Sequence, residues 1–156
     1  MKRLYILFLL ITLSCGGNNT KTKVDSNNES STPKEIKIIL SSNDNMLFDK
    51  QIIYASSRQK ITLTLNHNGK LDKKIMGHNF VLLKEGTDVD DFAQRAMVAK
   101  DTDYIPEGDE TYAYTKMIGG GESDSITFDS PEPGTYVFLC TFPGHYQIMR
   151  GDFIVE

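Results

Sequence analysis

Near the C-terminus of this 156-residue chain stands the run Cys140-Thr141-Phe142-Pro143-Gly144-His145-Tyr146-Gln147-Ile148-Met149. It offers a thiol, an imidazole five residues on and a thioether four beyond that. Pro143-Gly144 supplies a turn able to fold the segment back on itself. A second imidazole, His78, lies 62 positions upstream in Met76-Gly77-His78-Asn79. Taken alone, Cys140 reads as a buried small hydrophobe and His145 as a loop histidine. Taken together with His78 and Met149, they make a donor set of two imidazoles, one thiolate and one weak thioether. Thiolate and thioether suit Cu(I), imidazole suits both copper oxidation states, and this combination is the recipe for a type 1 copper site. Zinc is the other metal to weigh, but a structural zinc site takes four strong ligands and a neutral thioether is a poor fourth.

For these donors to meet, the chain must bring distant segments to one end of a scaffold. From Glu35 onward apolar residues mostly alternate: Ile36, Ile38 and Leu40 share one face, and Ile61, Leu63 and Leu65 share another opposite Thr62 and Thr64. Further strands are predicted at residues 52–55, 78–83, 112–116, 124–128, 135–140 and 152–155. Turn residues separate them, at Asn43-Asp44, Asn68-Gly69, Gly119-Gly120-Gly121 and Pro131-Glu132-Pro133-Gly134. Seven to eight short strands punctuated in this way predict an all-β, Greek-key β-sandwich. One stretch departs from the pattern. Val89, Phe92, Ala93, Ala96 and Met97 fall at helical spacing, with Asp88 as N-cap and Asp90 and Asp91 in the first turn. A short inserted helix is predicted over residues 89–100, its Met and Phe stripe serving as packing. His67, just before a turn, reads as a hydrogen-bonded strand-end histidine and not a ligand. The triple glycine at 119–121 is a turn, since no helix follows to make it a phosphate cradle.

The first residues carry an address. Lys2 and Arg3 precede an apolar run over residues 4–13, too short to span a bilayer but suited to a secretion signal. It ends at Ser14-Cys15-Gly16-Gly17, which resembles a bacterial lipoprotein processing site with Cys15 as the lipidated residue, although Thr12 stands where such sites usually have Leu. Cleavage nearby without lipidation, or a disulfide through Cys15, are the alternatives. Residues 15–34 are polar, with Val24 the one large aliphatic side chain, and read as a flexible tether reaching about 25 Å. The folded domain is expected over residues 35–156. If Cys15 carries lipid, Cys140 is the one thiol left in that domain, and metal coordination would protect it from oxidation. Removing residues 1–14 takes away two basic residues and no acid, moving the net charge from -4 to -6. That balance argues against nucleic acid, which is met with a basic surface.

Met76-Gly77-His78-Asn79, the Cys-x4-His-x3-Met spacing of the C-terminal run and the following Gly151 together resemble the azurins, blue copper proteins of the cupredoxin fold. The resemblance runs from about Glu35 to Glu156. It takes in Ser42-Asn43-Asp44, Gly121-Glu122-Ser123-Asp124-Ser125 and Thr127-Phe128-Asp129. It implies a copper ion held by His78, Cys140 and His145, with Met149 as the long axial ligand and the Gly77 carbonyl opposite. It further implies that Asn79 ties the two ligand-bearing segments together and that the backbone N–H groups of Asn79 and Phe142 point at the sulfur. Three positions depart from the azurin pattern. The usual disulfide positions hold Ile36 and Arg58, and Phe80 replaces the Trp that follows the His-Asn pair.

By this resemblance the chain is an electron-transfer protein of the bacterial cell envelope, facing the periplasm, with electrons passing through the solvent-facing ring edge of His145. Met46, Leu71, Ile75, Met76, Phe142, Pro143 and Ile148 are the expected apolar docking surface. The expected partners are redox proteins, such as c-type cytochromes or a terminal reductase or peroxidase, and a membrane reached through the lipid; no small-molecule substrate is expected. Hydrolysis by Cys140 and His145 is disfavoured, because no third group orients the pair. A copper storage or delivery protein is the alternative function, and a purely structural surface lipoprotein a more distant one.

Overall fold

The computed structural model describes residues 34–156; the expected signal, Cys15 and residues 16–33 of the tether lie outside the described residues. Among the described residues nine strands form two sheets, one more than the upper end of the sequence expectation. The strands are β1 (Glu35–Asn43), β2 (Leu47–Phe48), β3 (Ile52–Ala55), β4 (Lys60–His67), β5 (Val81–Leu83), β6 (Thr111–Tyr114), β7 (Ser123–Asp129), β8 (Gly134–Leu139) and β9 (Arg150–Val155). One sheet runs β2-β1-β4-β7 and the other β3-β9-β8-β5-β6. β1 pairs with β4 in parallel and β3 with β9 in parallel; the remaining pairs are antiparallel.

The alternation in β4 shows why the sheets face each other. Ile61, Leu63 and Leu65 are wholly buried, while Thr62 and Thr64 point outward and hydrogen-bond to Thr127 (3.0 Å) and Ser125 (2.7 Å) of β7. Leu40, Ile61, Leu63 and Leu65 from the first sheet meet Phe80, Leu82, Phe138 and Phe153 from the second. The outer face of β5 and β8 is also buried. Val81, Leu83 and Leu139 pack there against Phe92 of the helix α2 (Val89–Val98).

Asp88 caps α2 as expected, accepting from the N–H groups of Asp90 and Asp91. The helix stops at Val98 instead of residue 100, and a 3-10 turn over Lys100–Thr102 follows. Met97 is 41% exposed and lies outside the packed stripe of Phe92, Ala93 and Ala96. Two short elements carried no sequence signal: β2, and a single helical turn α1 (Lys73–Met76) capped by the Asp72 side chain. The strand expected over residues 78–83 begins only at Val81. His78 sits ahead of it in an isolated bridge to Ile118, with a backbone hydrogen bond in each direction. At the azurin disulfide positions, Ile36 packs against the core and Arg58 is exposed with φ 58°.

Candidate metal centre

The ends of β1, β4 and β8 and the start of β9 converge at one pole of the sandwich, and the donor residues meet there. Cys140 directly follows β8. The chain then turns so tightly that His145 N–H reaches the Phe142 carbonyl (3.0 Å), Met149 N–H reaches the His145 carbonyl (2.8 Å) and Cys140 N–H reaches the Met149 carbonyl (2.9 Å). Gly144 makes this turn with φ 84°, a conformation that costs most side chains about 1–2 kcal/mol. The loop therefore closes on itself and buries Cys140, His145 and Met149, each no more than 3% exposed.

His78 arrives from the other side of the sequence. Its Nε2 lies 3.0 Å from the Asn43 carbonyl, which can only accept, so Nε2 carries the proton and Nδ1 keeps a free lone pair. That Nδ1 stands 3.8 Å from Cys140 Sγ, and His145 Nδ1 stands 3.7 Å from the same sulfur. The Gly77 carbonyl lies 3.8 Å from it as well. One ligand atom from each of His78, Cys140 and His145 falls within 4.8 Å of the others. Asn79 locks the two segments: its Nδ2 donates to Thr141 Oγ1 (2.7 Å), and its Oδ1 accepts from Thr141 N–H (2.8 Å).

Burial governs the electrostatics. It pushes the Cys140 thiol up to about 12, against hydrogen bonds from the backbone N–H groups of Asn79 and Phe142 that favour the thiolate. It also lowers His78 and His145 to about 4, with nearby His67 adding to the effect on both. At neutral pH both imidazoles are thus uncharged and able to donate. The thiol gives up its proton only to a cation that takes its place. No carboxylate belongs to this donor group, so hard oxygen-seeking cations find little here. A dry pocket with one sulfur, two imidazoles and a buried thioether suits copper.

The family described as "Copper binding proteins, plastocyanin/azurin family" matches residues 34–156. The chain belongs to this family. It is 43% identical over 123 residues to azurin of Pseudomonas fluorescens biotype C, covering 75% of this chain and 95% of that protein. It is 44% identical over 114 residues to outer membrane protein H.8 of Neisseria gonorrhoeae, covering 70% of this chain and 62% of the relative. Among solved structures, dithionite-reduced auracyanin of Roseiflexus castenholzii superposes with a TM-score of 0.70 at 37% identity. That match covers 77% of this chain and 96% of the other. The cupredoxin fold and the copper cofactor expected from the sequence are those of this family.

Around the donors the structure sorts the remaining expectations. Ile75 (64%), Ile148 (52%) and Leu71 (39%) are exposed, and Met46, Met76, Phe142 and Pro143 are half-buried. His145 itself is only 3% exposed, so a sliver of its ring is all that reaches solvent. His67 is fully engaged elsewhere. Its Nδ1 accepts from Gly69 N–H (3.0 Å) and its Nε2 donates to the Met76 carbonyl (2.8 Å), while its ring packs on His78 with centroids 4.3 Å apart.

Sequence reasoning missed four contributors. The Asn43 carbonyl orients His78, Thr141 answers Asn79, Met117 crowds Gly77, and Tyr104 packs edge-on against Phe142 at 5.5 Å. A backbone carbonyl leaves no trace in residue type, so Asn43 had no signal to find. Thr141 stood beside the cysteine in plain view, its role hidden until Asn79 was placed.

Proposed function

We propose that this protein carries single electrons between redox partners in the bacterial cell envelope, tethered to a membrane by lipid on Cys15. The observation that carries the reading is the buried group of His78, Cys140 and His145 with Met149 beside it. His78, Cys140 and His145 would hold the copper, with Met149 as a weak further donor and the Gly77 carbonyl close to the same sulfur. Copper bound there supplies a one-electron couple between Cu(II) and Cu(I).

The residues do the rest. Four backbone hydrogen bonds, from Cys140, His145, Ile148 and Met149, hold the loop closed. The Asn43 carbonyl holds His78, and the Asn79–Thr141 pair joins the two. Donors fixed by the fold need not rearrange when charge changes, which keeps the barrier to electron exchange low. The N–H groups of Asn79 and Phe142 steady negative charge on the sulfur. The His145 ring edge, beside Phe142 with centroids 4.8 Å apart, is the point of electron entry and exit, and by the azurin resemblance Met46, Met76, Pro143 and Ile148 complete an apolar collar around it. An exposed apolar collar of this kind marks a partner surface, and a small one favours quick release. We assign no enzymatic reaction, since the thiol and imidazole that could form a nucleophile pair are committed to the ion. Export and lipidation rest on the first fifteen residues and gain support from the relative named as an outer membrane protein.

The test is an absorption and EPR spectrum after Cu(II) addition, followed by repeated redox cycling. The expected result is an intense visible thiolate-to-copper band, narrow copper hyperfine splitting and full retention of copper through the cycles. A colourless folded protein with Cys140 reduced would overturn the reading. Steady loss of copper on cycling would replace it with copper delivery.

A further inference from the structure

One border of the apolar collar is basic, although the chain as a whole carries a net charge of -4. Residues 70–76 bear Lys70, Lys73 and Lys74 against one acid, Asp72, and the same segment presents Leu71 and Ile75 to solvent. Lys100 joins them from the 3-10 turn after α2. With Lys73 and Lys74 it lines a groove of about 250 Å³ whose other walls are Asp103, Tyr104 and Met117. The groove abuts the collar through rings in contact: Tyr104 packs on Phe142 at 5.5 Å, and Phe142 on His145 at 4.8 Å.

Outside the groove the nearby acids are Asp44, Asp72 and Asp101, the last in the same 3-10 turn as Lys100. The Asp44 carboxylate accepts from the backbone N–H groups of Lys70 and Leu71, and Asp72 caps α1 through Lys74 N–H. Asp103 alone shares the groove. Among the described residues, Lys50, Lys84 and Arg95 each have a carboxylate within 4.0 Å, whereas Lys70, Lys73, Lys74 and Lys100 have none. Other acids cluster at α2, with Asp88, Asp90 and Asp91 at its start and Glu110 paired to its Arg95. A partner approaching His145 on this side therefore meets a groove whose three lysines outnumber its one acid, on a chain whose net charge is negative.

We propose that this lysine rim selects redox partners that surround their own electron-exchange site with carboxylates. The inference rests on the electron-transfer reading above and adds the chemistry of the partner. Charge around a small apolar contact sets the encounter rate and the orientation more than the affinity. The apolar collar then makes the close contact through which the electron passes.

The test uses the full copper-loaded chain and two small redox probes of opposite charge. Hexacyanoferrate(III) takes one electron from the Cu(I) protein, giving hexacyanoferrate(II) and the Cu(II) protein; a cationic cobalt(III) tris-phenanthroline does the same and becomes cobalt(II). If the rim controls access, the rate with hexacyanoferrate falls at least threefold as ionic strength rises from about 0.01 M to about 0.3 M, because screening removes an attraction. If net charge controls access, the same rate rises with salt, and the proposal is overturned while electron transfer stands. Failure to exchange electrons with either probe would overturn the electron-transfer reading itself.

The double variant K74E/K100E is expected to keep the visible spectrum and reverse the salt dependence for hexacyanoferrate. The neutral pair K74Q/K100Q, expected to flatten it, serves if the first fails to fold. An independent readout needs no copper: a polyglutamate peptide titrated into the metal-free chain should shift amide resonances at residues 70–76 and 100–104. Shifts spread over the surface, or none, would overturn the proposal. So would binding to phosphatidylglycerol vesicles that K74E/K100E abolishes while the hexacyanoferrate salt dependence stays as it was, since the rim would then serve a membrane.

Discussion

The loop over residues 140–149 and the segment over residues 70–79 bring donors to the same point and are held there by different means. The loop is closed by hydrogen bonds among its own backbone groups, none spanning more than nine residues. The segment depends on distant chain. Asn43 lies 35 residues before His78, Ile118 bridges to it from 40 residues beyond, and Thr141 answers Asn79 across 62. A metal site of this kind is half prefabricated and half assembled, and the assembled half should fail when packing fails.

The largest effect is expected where both halves meet. Cys140→Ser should abolish the visible thiolate-to-copper band altogether, and a surviving band would remove Cys140 from the site.

Acid should then attack both halves alike in the metal-free protein. His78 and His145 sit at about 4 in the fold against an ordinary 6.5, so the unfolded chain binds more protons between those values. Their contribution is fully present above about pH 6.5 and is lost as pH falls toward about 4. Urea unfolding across that window should show a decline of a few kcal/mol. His78→Gln and His145→Gln should each remove roughly half of the slope, and a flat profile in the parent protein would contradict the burial argument.

Two glycines separate the halves more finely. Gly77 has an ordinary φ of −71°, but a Cβ there would lie 2.5 Å from the Lys73 carbonyl and 2.9 Å from both Met117 and Phe142. Gly77→Ala should cost about 3 kcal/mol by chemical denaturation, since a backbone atom cannot step aside cheaply. Asn79→Ala leaves Thr141 N–H unpaired inside the protein and should cost about 2 kcal/mol. Gly144→Ala meets nothing within 4 Å and pays only for its φ of 84°, about 1 kcal/mol. If Gly144→Ala proved costlier than Gly77→Ala, the contrast between a self-closing loop and a packed segment would be wrong.

That contrast also explains what could be read in advance. The Cys-x4-His-x3-Met spacing is legible because a short loop encodes its own closure, and the alternation of Ile61, Leu63 and Leu65 is legible because one face of a strand is buried. The Asp88 cap was equally plain, its oxygen matched to the first N–H groups of α2. The strand expected to begin at His78 was misplaced for the opposite reason. His78, Asn79 and Phe80 look like strand residues, but His78 pairs only in an isolated bridge to Ile118, while its ring and the Asn79 amide are held by the Asn43 carbonyl and Thr141. Met97 also departs from expectation: its spacing fits the helix stripe, yet only Phe92, Ala93 and Ala96 of that stripe are buried.

By itself, then, the sequence determined the donor types, the self-closing loop, the facing apolar strands and the capped helix, all of which follow from local spacing and local backbone chemistry. The tertiary structure alone decided which carbonyl orients His78, why Gly77 tolerates no side chain, how little of His145 reaches water and that Lys73, Lys74 and Lys100 share one groove. Each of these depends on how segments far apart in the chain are registered against one another, and register is settled by burying the two sheets together.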